Sequence, residues 1–228
     1  QWYPFPKNLH ILTEELIQDL DFLYISHAHE DHYDEWFLKK LNKDTPIYIS
    51  KFRDRTLFNG LSALGFTDFE EIDDDKEVYV KSIKIKILKE EDYLDNDSCI
   101  LLDDGNSKVL NLNDCHVDFA KLGHEVGNID LLLVQASSAI WWPCAYSYSE
   151  EKMKHYGKIK RENNLNRALK YSEYLNARMV VPNAGPPYFN DEKMQYWNLN
   201  RREEWNPFVL SDDAARFLRD NGVPAALV

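Results

Sequence analysis

Short apolar runs bounded by turn residues recur along the chain, which is typical of strands. They occupy residues 22–26, 47–50, 78–80, 83–88, 99–102, 109–112, 129–135 and 179–181. Stretches with helical spacing of apolar positions alternate with them, several preceded by Ser, Thr or Asp caps. These lie at residues 13–20, 35–41, 53–64, 149–175 and 212–219. The alternation predicts a layered α/β fold.

The chain has no Gly/Ser/Pro-rich linker or repeat, so the pattern predicts one domain over residues 1–228. The Asp103-Asp-Gly-Asn106 run predicts a tight turn between two strands in the middle of the chain. Because the sequence begins at Gln1 with residues typical of a domain interior, we expect N-terminal strands of the domain to be missing from it.

Composition narrows the classes of partner. The 27 basic and 39 acidic side chains give a net charge of −12, which argues against nucleic acid and anionic membranes as partners. The apolar runs are shorter than the ~20 residues that a membrane span needs. Three cysteines without C-x-x-C spacing favour a reducing compartment, so we expect a cytoplasmic protein.

The most informative segment follows the first predicted strand, where His27-Ala-His29-Glu-Asp31-His32 places four metal-binding side chains in six residues. A strand end is rigid, and the loop after it can turn several of these side chains toward a common point. Imidazole nitrogen and carboxylate oxygen suit zinc and iron(II) alike. The segment therefore predicts a metal centre for which His27, His29, Asp31 and His32 are ligands.

The H-x-H-x-D-H motif after a strand resembles the signature of the metallo-β-lactamase superfamily, which implies a layered αββα sandwich. In that superfamily a later strand carries a carboxylate that bridges two metals, and Asp114 holds the matching position. Its alternative role is to cap a turn. The resemblance implies metal ligands at His27, His29, Asp31, His32 and Asp114, with proton handling by Asp31 or Asp114.

Two positions depart from the superfamily pattern, because the histidines expected near residues 90–97 and after residues 179–181 are absent. Oxygen ligands from Asp92, Tyr93 or Asp95 are candidates to replace the first of them. His116 is a candidate ligand or hydrogen-bond partner of a ligand, and a structural role is the alternative. Oxygen-rich coordination favours iron(II) or manganese over zinc.

Segments in the second half of the chain resemble particular enzyme groups within the superfamily. The segments Asn111-Leu-Asn-Asp114, Ser138-Ala-Ile-Trp-Trp-Pro, Lys160-Arg-Glu-Asn163 and Pro182-Asn-Ala-Gly-Pro-Pro resemble the metallo-β-lactamase-fold part of two enzyme groups. These are the CMP-N-acetylneuraminate hydroxylases and the bacterial UDP-N-acetylmuramate hydroxylases. The resemblance implies an iron-dependent oxygenase with one or two iron(II) ions that hydroxylates an N-acetyl group, receiving electrons from a Rieske cluster.

Residues 152–170 are strongly basic, with Glu162 as the lone acid, which is typical either of a solvated helix face or of an anion site. An anionic or N-acylated substrate such as a nucleotide sugar would be held by basic, aromatic and amide side chains. The candidates are Lys160, Arg161, Arg167, Trp141, Trp142 and Asn183.

The double Cys/His pattern of a Rieske cluster is absent from the 228 residues, so we expect an external electron donor of Rieske or ferredoxin type, or a module on a missing part of the polypeptide. A zinc or manganese hydrolase of the same fold is the alternative activity. A binding or scaffold protein with a decayed metal site is a further alternative, because two expected histidines are missing.

Overall fold

The computed structural model describes residues 17–74, 76–90, 96–138, 140–183 and 185–227. Contacts divide the chain into two compact units. The first is Gln1–Asn106 with Cys115–Asp118, and the second is Ser107–Asp114 with Phe119–Val228. The single domain over residues 1–228 stays a prediction.

The first unit begins with a parallel sheet in the order β1-β2-β3, in which Ile47 of β2 pairs with Phe69 of β3. A short helix follows each of the first two strands. Asp34 caps the first helix by accepting hydrogen bonds from the Trp36 and Phe37 amides. The elements are β1 (Leu23–Tyr24), α1 (Glu35–Leu38), β2 (Ile47–Ser50), α2 (Thr56–Ala63) and β3 (Phe69–Ile72).

An antiparallel set of strands completes the first unit: β4 (Glu77–Val80), β5 (Ile83–Lys89) and β6 (Ser98–Asp103). Ile85 and Ile87 of β5 are fully buried and form an apolar cluster with Ile72 and Ile100. The predicted turn after β6 is present. Gly105 has a φ of 86°, a value that favours glycine, and its amide donates to Asp103 Oδ1 at 2.8 Å.

The second unit contains a parallel arrangement of β7 (Lys108–Asn111), β8 (Leu131–Gln135) and β9 (Met179–Asn183). Gln135 pairs in register with Asn183, so the carboxyl ends of β8 and β9 coincide. In α/β sheets this edge is the usual place for ligands. The helices are α3 (Phe119–Glu125), α4 (Glu150–Tyr174), α5 (Gln195–Leu199) and α6 (Ser211–Asp220), with a short 3₁₀ helix at Glu192–Met194.

Helix α4 is the longest described element, with 25 residues, and its first turn is capped by Ser149. Gly157 lies in its interior, where glycine lowers intrinsic helix stability. A Cβ atom at Gly157 would collide with the carbonyl oxygen of Trp205. The missing side chain therefore allows the Trp205 backbone to cross close to the helix.

The structure confirms the predicted α/β class and adds elements that the pattern did not predict: β3, α3 and α5. Strand β3 was missed because two glutamates occupy its centre, and it pairs with β2 alone in its sheet. The first half of the predicted helix at residues 13–20, residues 13–16, lies outside the described residues. No helix in the described part of the chain combines the length and apolar character needed to cross a membrane.

Candidate metal centre

His27 is the third residue after the end of β1 and is only 3% exposed, so its ring has fixed neighbours. Its Nδ1 atom lies 3.1 Å from Asp97 Oδ1 and 3.0 Å from Ser26 Oγ. A carboxylate that accepts the Nδ1 proton keeps the Nε2 lone pair of a histidine available to a metal. Asp97 is therefore a partner that favours metal binding through Nε2 of His27.

The Nε2 atom of His27 lies 2.8 Å from Nδ1 of His29. Two nitrogens that bind one metal at ~2.1 Å and a right angle lie ~3.0 Å apart, close to this separation. With the Nδ1 proton of His27 on its Asp97 side, the facing nitrogens match the spacing of neighbouring metal ligands. The pair therefore fits a divalent transition metal such as iron(II), manganese or zinc.

His32 lies beside the same pair, with its ring centroid 4.2 Å from that of His27. Its Nδ1 atom is 3.3 Å from Ser26 Oγ, and its amide donates to the carbonyl oxygen of His29 at 2.9 Å. The loop thus folds back on itself and brings three imidazoles together. Asp31 is 39% exposed, and its Oδ2 lies 3.8 Å from His32 Nε2, which places it at the rim of the cluster.

Buried polar contacts hold the base of this loop. Ser98 Oγ donates to the carbonyl oxygen of Ser26 at 2.9 Å and lies 3.0 Å from the Tyr24 hydroxyl. Burial raises the pKa of Tyr24 well above its ordinary value, so the phenol stays neutral. A fixed hydrogen-bond network therefore supports the segment in front of His27.

A cavity of about 250 Å³ opens against the histidines within the first unit. Its wall combines the two facing imidazoles with polar and apolar groups from the segment that leads into α2. The lining residues are His27, Ala28, His29, Phe52, Asp54, Thr56, Leu57 and Asn96. The volume has room for a small ligand group beside the facing imidazoles.

The other candidate ligands from the first unit are Asp92, Tyr93, Asp95 and His116. Asp92, Tyr93 and Asp95 lie outside the described residues. His116 is exposed, and its amide donates to Glu90 Oε2 at 3.1 Å. Asp97 was not predicted as a site residue. It lies in the segment near residues 90–97 where the superfamily pattern expects a histidine, so the pattern indicated the correct region of the chain.

In the second unit, Asp114 follows β7 and its Oδ1 accepts a 2.5 Å hydrogen bond from Gln135 Nε2. The other end of the Gln135 amide, Oε1, accepts from Arg167 Nη2 at 3.3 Å. The same guanidinium nitrogen lies 3.2 Å from Asn164 Oδ1. A chain of polar side chains thus connects α4 to Asp114, and Gln135 was not among the residues predicted for the site.

Two buried polar atoms at the carboxyl ends of β8 and β9 have no hydrogen-bond partner among the described residues: Ser137 Oγ and Asn183 Oδ1. Buried polar atoms are nearly always hydrogen-bonded in folded proteins. The two atoms are therefore suited to bind polar groups of a ligand. Asn183 was predicted from sequence to contact the substrate, and Ser137 was not.

The remaining predicted substrate contacts have other surroundings. Lys160 is buried, and its ammonium donates to the carbonyl oxygens of Ile140 at 2.6 Å and Trp142 at 3.0 Å. Arg161 pairs with Asp213 at 3.0 Å. Trp141 is 61% exposed. The substrate contacts stay predictions, and groups of the protein itself hold Lys160 and Arg161.

Comparison with known proteins identifies relatives of the chain. No protein-family model matches the chain. It is 32% identical over 235 residues to a Mycobacterium tuberculosis protein named as a Rieske 2Fe-2S iron-sulfur protein, covering 97% of this chain and 45% of that one. It is 29% identical over 189 residues to the cytidine monophosphate-N-acetylneuraminic acid hydroxylase of Xenopus laevis, covering 75% of this chain and 30% of the relative. The chain thus spans less than half the length of these relatives.

Solved structures decide the fold. The chain is similar to the metallo-β-lactamase fold protein YhfI from Bacillus subtilis, with a TM-score of 0.59, 15% identity and coverage of 96% and 78% of the two chains. The protein has the metallo-β-lactamase fold. Two further neighbours with this fold have different activities. The diiron β-hydroxylase CmlA from Streptomyces venezuelae matches with a TM-score of 0.60, 17% identity and coverage of 99% and 46%. An isothiocyanate hydrolase from Delia radicum gut bacteria matches with a TM-score of 0.61, 13% identity and coverage of 100% and 82%.

Proposed function

We propose that the protein is an iron(II)-dependent oxygenase that hydroxylates a small anionic, N-acylated metabolite such as a nucleotide sugar. The observation that supports this most is the facing pair of His27 Nε2 and His29 Nδ1, 2.8 Å apart, in a chain related to a sugar-nucleotide hydroxylase. The hydroxylation consumes dioxygen, two electrons and two protons for each hydroxyl formed, and water is the second product.

The proposed ligands from the histidine loop (residues 27–32) are His27, His29, Asp31 and His32, and Asp114 is kept as the further ligand that the sequence predicts. Nitrogen and carboxylate donors are the set that iron(II) oxygenases use. Iron(II), as one ion or a pair, supplies the site for dioxygen activation when bound. Manganese or zinc is the alternative metal for the same donors.

The protein groups around the metal have separate roles in this proposal. Asp97 holds the proton of His27 at Nδ1, which keeps Nε2 available as a ligand. The exposed carboxylate of Asp31 lies at the rim, where it can exchange protons with water, and Asp114 is the second candidate for this role. The cavity beside His29 admits a small reacting group.

Substrate recognition is proposed for the carboxyl edge, which we define as Asp114, Gln135 and Asn183 at the ends of β7, β8 and β9. The buried Oδ1 of Asn183 is suited to accept a hydrogen bond from the amide N–H of an N-acyl group. Trp141 offers an exposed ring for a sugar or base. Lys160, Arg161 and Arg167 remain candidates for its anionic part, and Trp142 remains a candidate to line the pocket with Trp141.

Electrons would come from an external donor of Rieske or ferredoxin type, as the name of the mycobacterial relative suggests. The cysteines Cys99, Cys115 and Cys144 are free thiols, which fits the reducing conditions of a cytoplasm. We therefore propose a cytoplasmic enzyme with a redox partner.

The test is anaerobic purification with metal analysis, followed by oxygen consumption in the presence of a reductant and N-acetylated nucleotide sugars. Bound iron with substrate-dependent oxygen uptake and a hydroxylated product supports the proposal. His29→Ala serves as the inactive control, and His124→Ala, an exposed histidine on α3, as the matched active one. Stoichiometric zinc without oxygen uptake overturns the oxygenase.

A metal-dependent hydrolase is the second candidate, supported by the shared fold of the isothiocyanate hydrolase. The same histidines would then hold zinc or manganese, which lowers the pKa of a bound water. Hydrolysis of an amide or ester by the zinc-loaded protein under anaerobic conditions distinguishes this activity from an oxygenase, which needs dioxygen.

A further inference from the structure

The polar chain from α4 to the carboxyl edge points to a role within the protein for Gln135 and Arg167. Gln135 has both ends of its amide engaged, one with Asp114 and one with Arg167. Its side chain is buried, with 8% of the residue exposed. An amide at this place has one satisfactory orientation, because the carboxylate needs a donor and the guanidinium needs an acceptor.

We infer that Gln135, held in place by Arg167, is a positioning residue that fixes the orientation of the Asp114 carboxylate for metal binding. This inference rests on the proposed function, in which Asp114 is a ligand. Outer partners of metal ligands fix the ligand geometry and affect metal affinity strongly. The inference also gives Arg167 a role within the protein that differs from the predicted contact with an anionic substrate.

The support for Gln135 comes from a rigid element. Arg167 lies on α4, and its Nη2 is 3.2 Å from Asn164 Oδ1 one turn earlier on the same helix. Asn164 is 4% exposed, and its Nδ2 lies 3.5 Å from Ser138 Oγ in the segment after β8. The network therefore connects a helix side chain to both sides of the carboxyl end of β8, which restricts the rotation of Gln135.

Gln135 is a neutral side chain, so its contact with Asp114 differs from an ion pair. Its Nε2 donates to Asp114 Oδ1, while its Oε1 accepts from Arg167 Nη2. A neutral donor orients a carboxylate without adding a charge of its own that would compete with a metal.

The test measures Mn²⁺ binding to the full chain by the loss of the free-ion electron paramagnetic resonance signal. Gln135→Met keeps the size of the side chain and removes both hydrogen bonds. We expect a ~10–100-fold weaker Mn²⁺ affinity, the range for loss of an outer partner. Arg167→Met should weaken binding less, because Asp114 keeps the Gln135 donor while that donor loses its anchor.

The double variant Gln135→Met with Arg167→Met carries the decisive information. If Arg167 acts through Gln135, the double variant binds Mn²⁺ as Gln135→Met does, and the two effects do not add. A general loss of structure would weaken binding additively and lower the midpoint of thermal unfolding of the metal-free protein. Gln195→Met is the matched control, since Gln195 in the second unit likewise uses both ends of its amide: it donates to the carbonyl oxygen of Phe189 and accepts from Asn198 Nδ2.

The outcomes separate the two proposals. Wild-type protein that binds no Mn²⁺ or iron(II) overturns the proposed function and this inference with it. Metal binding that Asp114→Asn abolishes and Gln135→Met leaves unchanged overturns only the positioning role. The expected result is that Asp114→Asn and Gln135→Met each weaken Mn²⁺ binding, while Gln195→Met leaves it unchanged. Unchanged binding in Asp114→Asn removes Asp114 from the ligands and overturns the inference.

Discussion

The histidine loop and the carboxyl edge both collect polar side chains at the ends of parallel strands, and they do so in different ways. The loop places three imidazoles together from one stretch of six residues after β1. The edge assembles its polar groups from separate elements, with Asp114 after β7, Gln135 on β8 and Arg167 on α4. A local motif builds the first region, and tertiary packing builds the second.

This difference has an energetic consequence. In the loop, His29 is exposed, so its replacement costs little packing, and its effect falls on ligand binding. At the edge, Asn164 of α4 is buried and Arg167 is part-buried, so these supporting residues serve folding as well as function. Substitutions in the two regions should therefore separate into effects on metal affinity and effects on stability.

The largest effect is expected in the loop. His29→Ala removes the nitrogen that faces His27 Nε2 and should abolish stoichiometric metal binding, a greater loss than the ~10–100-fold assigned to outer partners. The unfolding midpoint of the metal-free protein should stay unchanged, because His29 lies at the surface. Metal analysis and thermal unfolding check both parts. Retained metal in His29→Ala contradicts the ligand assignment.

A smaller effect is expected behind His27. Asp97→Asn keeps the shape of the side chain and removes the negative charge that holds the Nδ1 proton, so metal affinity should fall by ~10–100-fold. Asp34→Asn is the control, because asparagine caps a helix about as well as aspartate. Competition with a chelator measures the affinities. Equal affinities for Asp97→Asn and wild type would exclude the tautomer role.

The same contrast explains what the sequence predicts. The histidine loop was predicted to bind metal because all its donor side chains lie within six residues that follow an apolar run. Asp97 was missed because it reaches His27 across 70 residues of chain, and Gln135 because its partners lie 21 and 32 residues away. Strand ends and helix periods are local signals, whereas hydrogen bonds between elements depend on packing that the pattern does not contain.

The basic stretch of α4 is a second case in which contacts between elements could not be predicted from the sequence. The sequence left a solvated face and an anion site as alternatives. The structure buries Lys160, pairs Arg161 with Asp213 and joins Arg167 to Gln135. Three of the cations thus have partners within the second unit, an arrangement that charge counting along the helix does not reveal.

Helix packing in the second unit gives the next prediction. Gly157→Ala should lower the free energy of unfolding by about 1–3 kcal/mol, because the new Cβ meets the Trp205 carbonyl oxygen and the cost exceeds the helix propensity of alanine. Gly123→Ala is the control on α3, where the nearest atom, of Tyr174, is 4.0 Å away. Urea denaturation measures both. Equal stability of the two variants contradicts the close crossing.

The smallest effect concerns the pH dependence of stability through Lys160. Burial lowers the pKa of this lysine to about 8, below its ordinary value in the unfolded chain. Between these two pKa values the unfolded state binds more protons, so stability rises with pH across that window, and Lys160 opposes folding most below pH ~8. Burial raises the pKa of the neighbouring Cys144 to about 11, so the thiol stays neutral over most of the same range.

Lys160→Met should remove this pH dependence. The difference in free energy of unfolding between wild type and Lys160→Met should therefore shift in favour of the wild type as the pH rises from 8 to 10. The absolute stability of the variant also reflects the loss of the hydrogen bonds to Ile140 and Trp142, so only the change with pH is diagnostic. Urea denaturation under reducing conditions measures this change. If the free energies of unfolding of the two proteins change with pH in parallel, the pKa of Lys160 is not lowered in the folded protein.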